Sequence, residues 1–210
     1  MSIQSEPLGK IEKPQVADYE KGKKLLYFIP LIFIPQNASS DFLELLNKYW
    51  NEINTQITNL ETKLGKVNKI YHELIPEEEN EKKINAIKEI NPQGFEMIKS
   101  RLDQGVQLQT IENKDLLTEF MDWGKCLTTR LQNQKVLNQI YAFYIEVQKK
   151  RNDYILQKIT ETLKETEKGI LIMGEGYQIQ FPEEIEIFYI APPSLDEFKH
   201  LIRKHQEAKK

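Results

Sequence analysis

The sequence predicts an α/β fold, with about five largely parallel strands flanked by helices. Three observations carry that expectation. Short apolar runs alternate with segments whose apolar residues recur every three or four positions, from residue 25 to residue 203. The run at 25–34, LLYFIPLIFI, is apolar almost end to end, as a strand covered on both faces would be. Residues 130–165 then carry the strongest helical period in the chain, which predicts one long helix or two with a bend.

In order, residues 1–22 hold Pro7, Pro14 and charges without periodicity, and are expected to form a flexible arm. One α/β domain is expected over 23–210. Pro30 and Pro35 lack an N–H and limit the regular pairing of the first strand. Asn37, Ser39, Ser40 and Asp41 can cap a helix, Asp41 with Glu44 at capping-box spacing; its stripe is Phe42, Leu46, Tyr49, Ile53, Ile57, Leu60 and Leu64, closed by Gly65. That stripe suits a core face, or a coiled-coil surface for a partner.

Residues 67–75, VNKIYHELI, predict the second strand. The acidic run at 77–81 opens a helix, Asn91-Pro92 breaks it, and a short helix ends at Gly105. Residues 106–111 predict the third strand and 115–123 a helix, with a weak break at 124–129. Strands follow at 170–173, at 177–181 after a Gly174-Glu175-Gly176 turn, and at 185–190, where the closeness of the last pairs allows an antiparallel edge. Pro192-Pro193 ends that strand, and Ser194 with Glu197 has capping-box spacing for the last helix.

Composition narrows the function classes. The chain has 210 residues, 40% hydrophobic and 29% charged, with a net charge of −3. That balance gives no electrostatic case for nucleic acid. No secretory signal is visible at the start, and the longest apolar run is half the roughly 20 residues of a membrane helix, so no membrane partner is expected. The single cysteine, Cys126, allows no intrachain disulfide and fits a cytoplasmic location.

A site in a sheet of this kind lies beyond the carboxyl ends of the strands. There the second strand delivers His72 and Glu73, the third Glu112 and Asn113, and the fourth Gly174, Glu175 and Gly176. Convergence of the candidate catalytic residues His72, Glu73, Glu112 and Glu175 would suit a divalent cation or acid/base work. Neighbours in a strand point to opposite faces, so regular geometry sends only one of His72 and Glu73 to such a site. Gly174, Gly176, Tyr177, Asn113, Arg151 and Asn152 are candidate ligand-pocket residues. Arg151 and Asn152 either aim polar groups at the sheet end or lie on the helix surface.

The glycine turn is no dinucleotide fingerprint, because a helix does not follow it. No P-loop, H-E-x-x-H or G-x-S-x-G is present. Cys126, beside Trp123 and Leu127, reads as a half-buried thiol, and His200 and His205 as solvated residues of the last helix. Neither a cofactor nor a metal is identified by these patterns.

The run RNDYILQKITETLKETEKGILIMGEGYQIQFPEEIEIFYIAPPSLDEFKHLIR, with KIYHEL and ENKDLLTEFMDWGKCL before it, resembles a family of uncharacterised prokaryotic proteins of archaea and anaerobic bacteria. The resemblance covers most of 25–203 and implies no activity. Such relatives often read E-G-H where this chain has Glu175-Gly176-Tyr177. The layout is also similar to the TraB/Tiki-type hydrolase fold, through Arg151-Asn152 and the turn at 174–177. The histidine of that turn is absent, and the first strand, ending IFIPQN, lacks the second G-x-x-H, so an active metalloprotease is not implied.

Three functions follow as expectations. The first is a binding or interaction protein that self-associates through its long helices. The second is a metal-assisted hydrolase with the carboxylate and histidine pocket. The third is a sensor of a small-molecule ligand, an anion or a nucleotide.

Overall fold

A computed structural model describes residues 23–34, 38–176 and 179–207. The arm expected at 1–22, Tyr177 and the side chain of His205 lie outside the described residues.

Five strands form one sheet: β1 (Lys24–Pro30), β2 (Lys69–His72), β3 (Gln107–Gln109), β4 (Lys168–Met173) and β5 (Ile185–Tyr189). Their order across the sheet is β3-β2-β4-β1-β5, and every recorded pair is parallel. The antiparallel edge allowed by the sequence is therefore not formed. β5 lies beside β1, with Leu26 opposite Ile187 and Phe28 opposite Tyr189. Residues 179–181 are loop, and their apolar side chains Ile179 and Phe181 pack on the sheet face. β1 stops at Pro30, where proline's missing N–H ends regular pairing, and Phe33 stands exposed.

Among the described residues six helices complete the fold: α1 (Ser40–Leu64), α2 (Asn80–Ile90), α3 (Phe95–Asp103), α4 (Lys114–Thr128), α5 (Gln134–Thr162) and α6 (Pro193–Glu207). No helix among the described residues is long and apolar enough to cross a membrane.

One face of the sheet carries α1, α2, α3 and α6. Phe42, Leu46, Tyr49, Ile53 and Ile57 of α1 bury against Tyr27, Ile29, Ile70, Ile170 and Ile172. The stripe on α1 is thus core, each large side chain contributing about 1.5–3 kcal/mol on burial. Gly65 closes α1 at φ 94, a conformation that suits glycine. The Tyr49 hydroxyl donates to Pro30 O at 2.6 Å, which satisfies the end of β1. Arg101 ties α3 to α1, donating to Glu61 Oε2 at 2.9 Å and to Asn54 Oδ1 at 2.9 Å. Ser194 does not form the expected cap: its hydroxyl donates to Glu52 Oε2 on α1 at 2.7 Å, docking α6 on that helix.

The other face is covered differently. Only the second half of α5 reaches it, through Ile155 and Ile159, with Leu163 just beyond, against Leu26, Tyr71, Leu171 and Met173. The long helix is one continuous element, and Asn133 caps it by accepting from the N–H groups of Lys135 and Val136. The break expected at 124–129 falls later, because α4 continues through Gly124 to Thr128. Among the described residues the connection from β4 to β5 holds no helix. Its residues 179–181 pack on this face as loop, where a parallel crossover usually supplies a helix.

Candidate functional site

Arg151 lies at the centre of the strand ends and is fully buried. Its place follows from spacing. Val147, Arg151, Ile155 and Ile159 recur every four residues, and all four are buried on the inner face of α5. A charge buried in that row needs carboxylate partners, and the segments just after β2 and β3 supply them. The Arg151 Nε–H donates to Glu112 Oε2 at 2.9 Å and its Nη2 to Glu73 Oε2 at 3.2 Å. The same Nη2 also donates to Glu112 Oε1. Both carboxylate side chains are 0% exposed. The guanidinium lies 4.8 Å from the centre of the Phe120 ring, which extends the contact to α4.

The remaining oxygen capacity holds the backbone. Glu73 Oε1 accepts the N–H of Gly174 at 2.6 Å, at the end of β4. Glu112 Oε1 accepts the N–H of Leu74 at 2.8 Å. Leu74 has φ 66, a left-handed conformation rare for a branched residue, and this bond fixes it. Burial pushes the Glu73 carboxyl up from its ordinary value, while the Arg151 charge pulls it down. The node thus joins β2, β3, β4, α4 and α5 through one cation and two anions.

The expected four-residue convergence is not formed. His72 points to the opposite face from Glu73, as strand alternation requires. Its Nδ1 bonds Glu73 O at 2.7 Å and its Nε2 lies 3.4 Å from Asn91 Nδ2. Asn91 Oδ1 in turn accepts the Gly94 N–H at 3.0 Å, so His72 braces the corner between α2 and α3. Burial pushes its pKa down to about 4, so the imidazole is neutral. Glu175 turns toward α6, accepting from the Lys199 ammonium at 2.7 Å and from the Tyr189 hydroxyl. Partial burial pushes Glu175 up, but Lys199 and Tyr189 outweigh it and hold the carboxyl below its usual range. Among the described residues no group of three or more His, Cys, Asp or Glu side chains is placed to hold a metal ion. The place of the expected hydrolase pocket is filled by an arginine that pairs with both carboxylates.

The expected ligand-pocket residues divide. Asn113 caps α4, its side chain accepting from Asp115 and Leu116 N–H at 3.0 Å. Gly174 is held by Glu73, and Arg151 is sealed in the node. Asn152 and Gly176 do meet, on a cleft of about 600 Å³ between α5 and the loop after β4, which Ile145, Gln148, Ile179 and Gln180 also line. Buried Asn152 Oδ1 has no hydrogen-bond partner among the described residues.

Sequence spacing did not single out the outer part of α4 and α5. From 121 to 146 no residue is buried, whereas burial resumes at Val147. The two helices touch each other through stacked Phe120–Tyr144 and Trp123–Phe143 pairs, with ring centres 5.1 and 4.9 Å apart. The 13 residues 134–146 make a rod about 20 Å long beyond the core. Along it Val136, Tyr141, Phe143 and Ile145 are all more than a third exposed, as is Met121 of α4. The available signal was 136–145, VLNQIYAFYI, ten residues without a charge in a chain that is 29% charged.

No family model, curated protein or solved structure matches this chain.

Proposed function

We propose that this chain is an interaction protein whose working surface is the α4–α5 hairpin. The observation that carries the proposal is the run 121–146, which is apolar on several sides and contributes nothing to the core. A helix that is hydrophobic all round is ordinarily buried. Two helices in contact cover only one side of each other, so the remaining sides of 136–145 suit a further partner. Exposed apolar patches of several hundred Å² mark such surfaces. The buried Arg151 node supports the same reading, since it anchors the root of the hairpin to three strands. The carboxylates there are fully buried and bonded to Arg151 and to backbone N–H groups, which favours a structural role over acid/base chemistry.

The test is sedimentation of the tagged chain in an extract of its source cells, beside the variant Tyr141→Asp/Ile145→Asp. The wild type is expected in a faster-sedimenting species that the variant does not enter. Equal sedimentation of both at the size of the isolated chain would remove the hairpin as the working surface.

A second reading rests on the cleft beside α5. The unpartnered Asn152 Oδ1 and the backbone turn at Gly176 suit a small polar ligand that donates a hydrogen bond. Native mass spectrometry of the purified chain tests it. A retained small molecule that Asn152→Ala loses supports the cleft, and bare protein from every preparation counts against it.

A further inference from the structure

We infer that the partner of the hairpin is a second copy of this chain, and that two α4–α5 hairpins pack about a two-fold axis into an intermolecular four-helix bundle. The inference rests on the hairpin reading above and adds the identity of the occupant.

The first argument is area. Met121, Val136, Tyr141, Phe143 and Ile145 are between 38% and 56% exposed. Large side chains present roughly 150–250 Å² each, so these five expose about 400–500 Å² of apolar surface. A standard interface buries roughly 800 Å² per partner, and homodimer interfaces are about 65% apolar, which asks for about 500 Å². That total is spread over two sides: helical spacing puts Tyr141 and Ile145 on one side of α5 and Val136 and Phe143 on the other, where Phe143 stacks on Trp123, so Tyr141 and Ile145 form the side open to a second copy.

The second argument is charge. An isologous contact sets a surface against itself, so a charge near the axis meets its own kind. The row Gln134, Asn138, Tyr141, Ile145 and Gln148 follows helical spacing along one face of α5 and carries no charge. Charges at the hairpin lie off that row. Asp122 and Lys125 pair with each other at 2.9 Å, and Lys135 and Glu146 flank the uncharged stretch at its two ends. A strongly charged partner would find nothing there to complement, whereas an uncharged row is compatible with its own copy.

The third argument is shape. Two antiparallel helices joined by the short segment 129–133 are half of an up-down bundle. Aromatic stacking fixes the pair internally, and the node at Arg151 fixes its root, so the hairpin meets a partner already ordered.

The test uses the purified full chain alone, by sedimentation equilibrium between about 1 and 200 μM. The expected mass is twice 24.8 kDa at the upper concentrations. Tyr141→Asp/Ile145→Asp should weaken association at least 100-fold with the helical circular dichroism retained, while Ile187→Asp/Tyr189→Asp on β5 should leave it unchanged. A readout independent of those variants uses Cys126→Ser with single cysteines introduced at 138, 141 and 145. Mild oxidation should link at least one of them into a dimer, and a cysteine at Lys82 should not link. A chain that stays monomeric at 200 μM overturns the second copy as occupant and leaves the hairpin reading to the extract experiment. A dimer that survives Tyr141→Asp/Ile145→Asp but is lost with the β5 variant overturns the inference by placing the contact at the sheet edge.

Discussion

Replacing Arg151 with methionine removes the cation and keeps most of the volume. Arg151 makes at least three hydrogen bonds to Glu73 and Glu112, within a site where all three side chains are fully buried. Each charge-assisted bond is worth roughly 1.5–3 kcal/mol, but bonds sharing one group are not additive. Breaking a buried pair by removing one partner costs about 3–5 kcal/mol, because the other charge is left uncompensated. For a chain of this size that corresponds to about 6–20 °C in Tm. The sign of the pH dependence follows from Glu73. Its folded pKa lies above the ordinary 4.5, so the native state takes up the proton first and the associated stability is lost as pH rises through the native value. Without Arg151 the pull downward disappears and the carboxyl moves further up. The penalty of Arg151→Met should therefore be full at pH 8 and shrink by pH 5. Urea unfolding followed by tryptophan fluorescence at both pH values measures it. Glu73→Gln and Glu112→Gln, added to Arg151→Met, keep acceptors for Gly174 and Leu74 and should restore about 2 kcal/mol or more at pH 8. A penalty below about 1 kcal/mol, or one equal at the two pH values, would refute the charge account of the node.

His72 gives the opposite dependence. Its pKa of about 4 against 6.5 means the unfolded chain binds the proton first as pH falls, so about 3 kcal/mol is lost between pH 6.5 and 4. His72→Gln should flatten the difference between wild-type unfolding curves at pH 7 and 4.5; an unchanged slope would count against a neutral buried imidazole. Gly169→Ala places a Cβ 2.9 Å from Leu26 Cδ1 and 3.1 Å from the Tyr71 ring, and should cost about 1–3 kcal/mol in the same assay. Thr166, exposed and at φ 65, should gain about 0.5–1 kcal/mol as Thr166→Gly, because the left-handed strain outweighs the added chain entropy. A loss there would mean the Thr166 side chain contributes to the turn.

The element order was largely legible, because apolar runs and three-and-four spacing report which face of a segment is covered. Strand neighbours were not. Nothing local in LLYFIP says that β1 pairs with β4 and β5 and leaves β2 to β4. The strand expected at 177–181 illustrates the limit: YQIQF alternates well, but its described part, 179–181, covers β1 as loop. The site was half legible. Glu73 and Glu112 were placed at strand ends, and alternation already separated Glu73 from His72. The polarity of Arg151 suits either the helix surface or the sheet end, whereas its register with Val147, Ile155 and Ile159 puts it inside. The partners of Glu175, Lys199 and Tyr189, come from elements later in the chain, and no local pattern points to them.

The position of β4 bears on how the chain is made. β1 pairs along Leu25–Pro30 with residues some 140 positions later, and its other neighbour, β5, comes later still. Contacts this distant slow folding. At 5–20 residues per second, a ribosome needs about 7–30 s to supply β4 after β1. Through that interval both edges of β1 and the inner edge of β2 lack their partners, with LLYFIP between them. A chain cut before residue 168 keeps all three edges open permanently, and its fate is to aggregate or to occupy a chaperone.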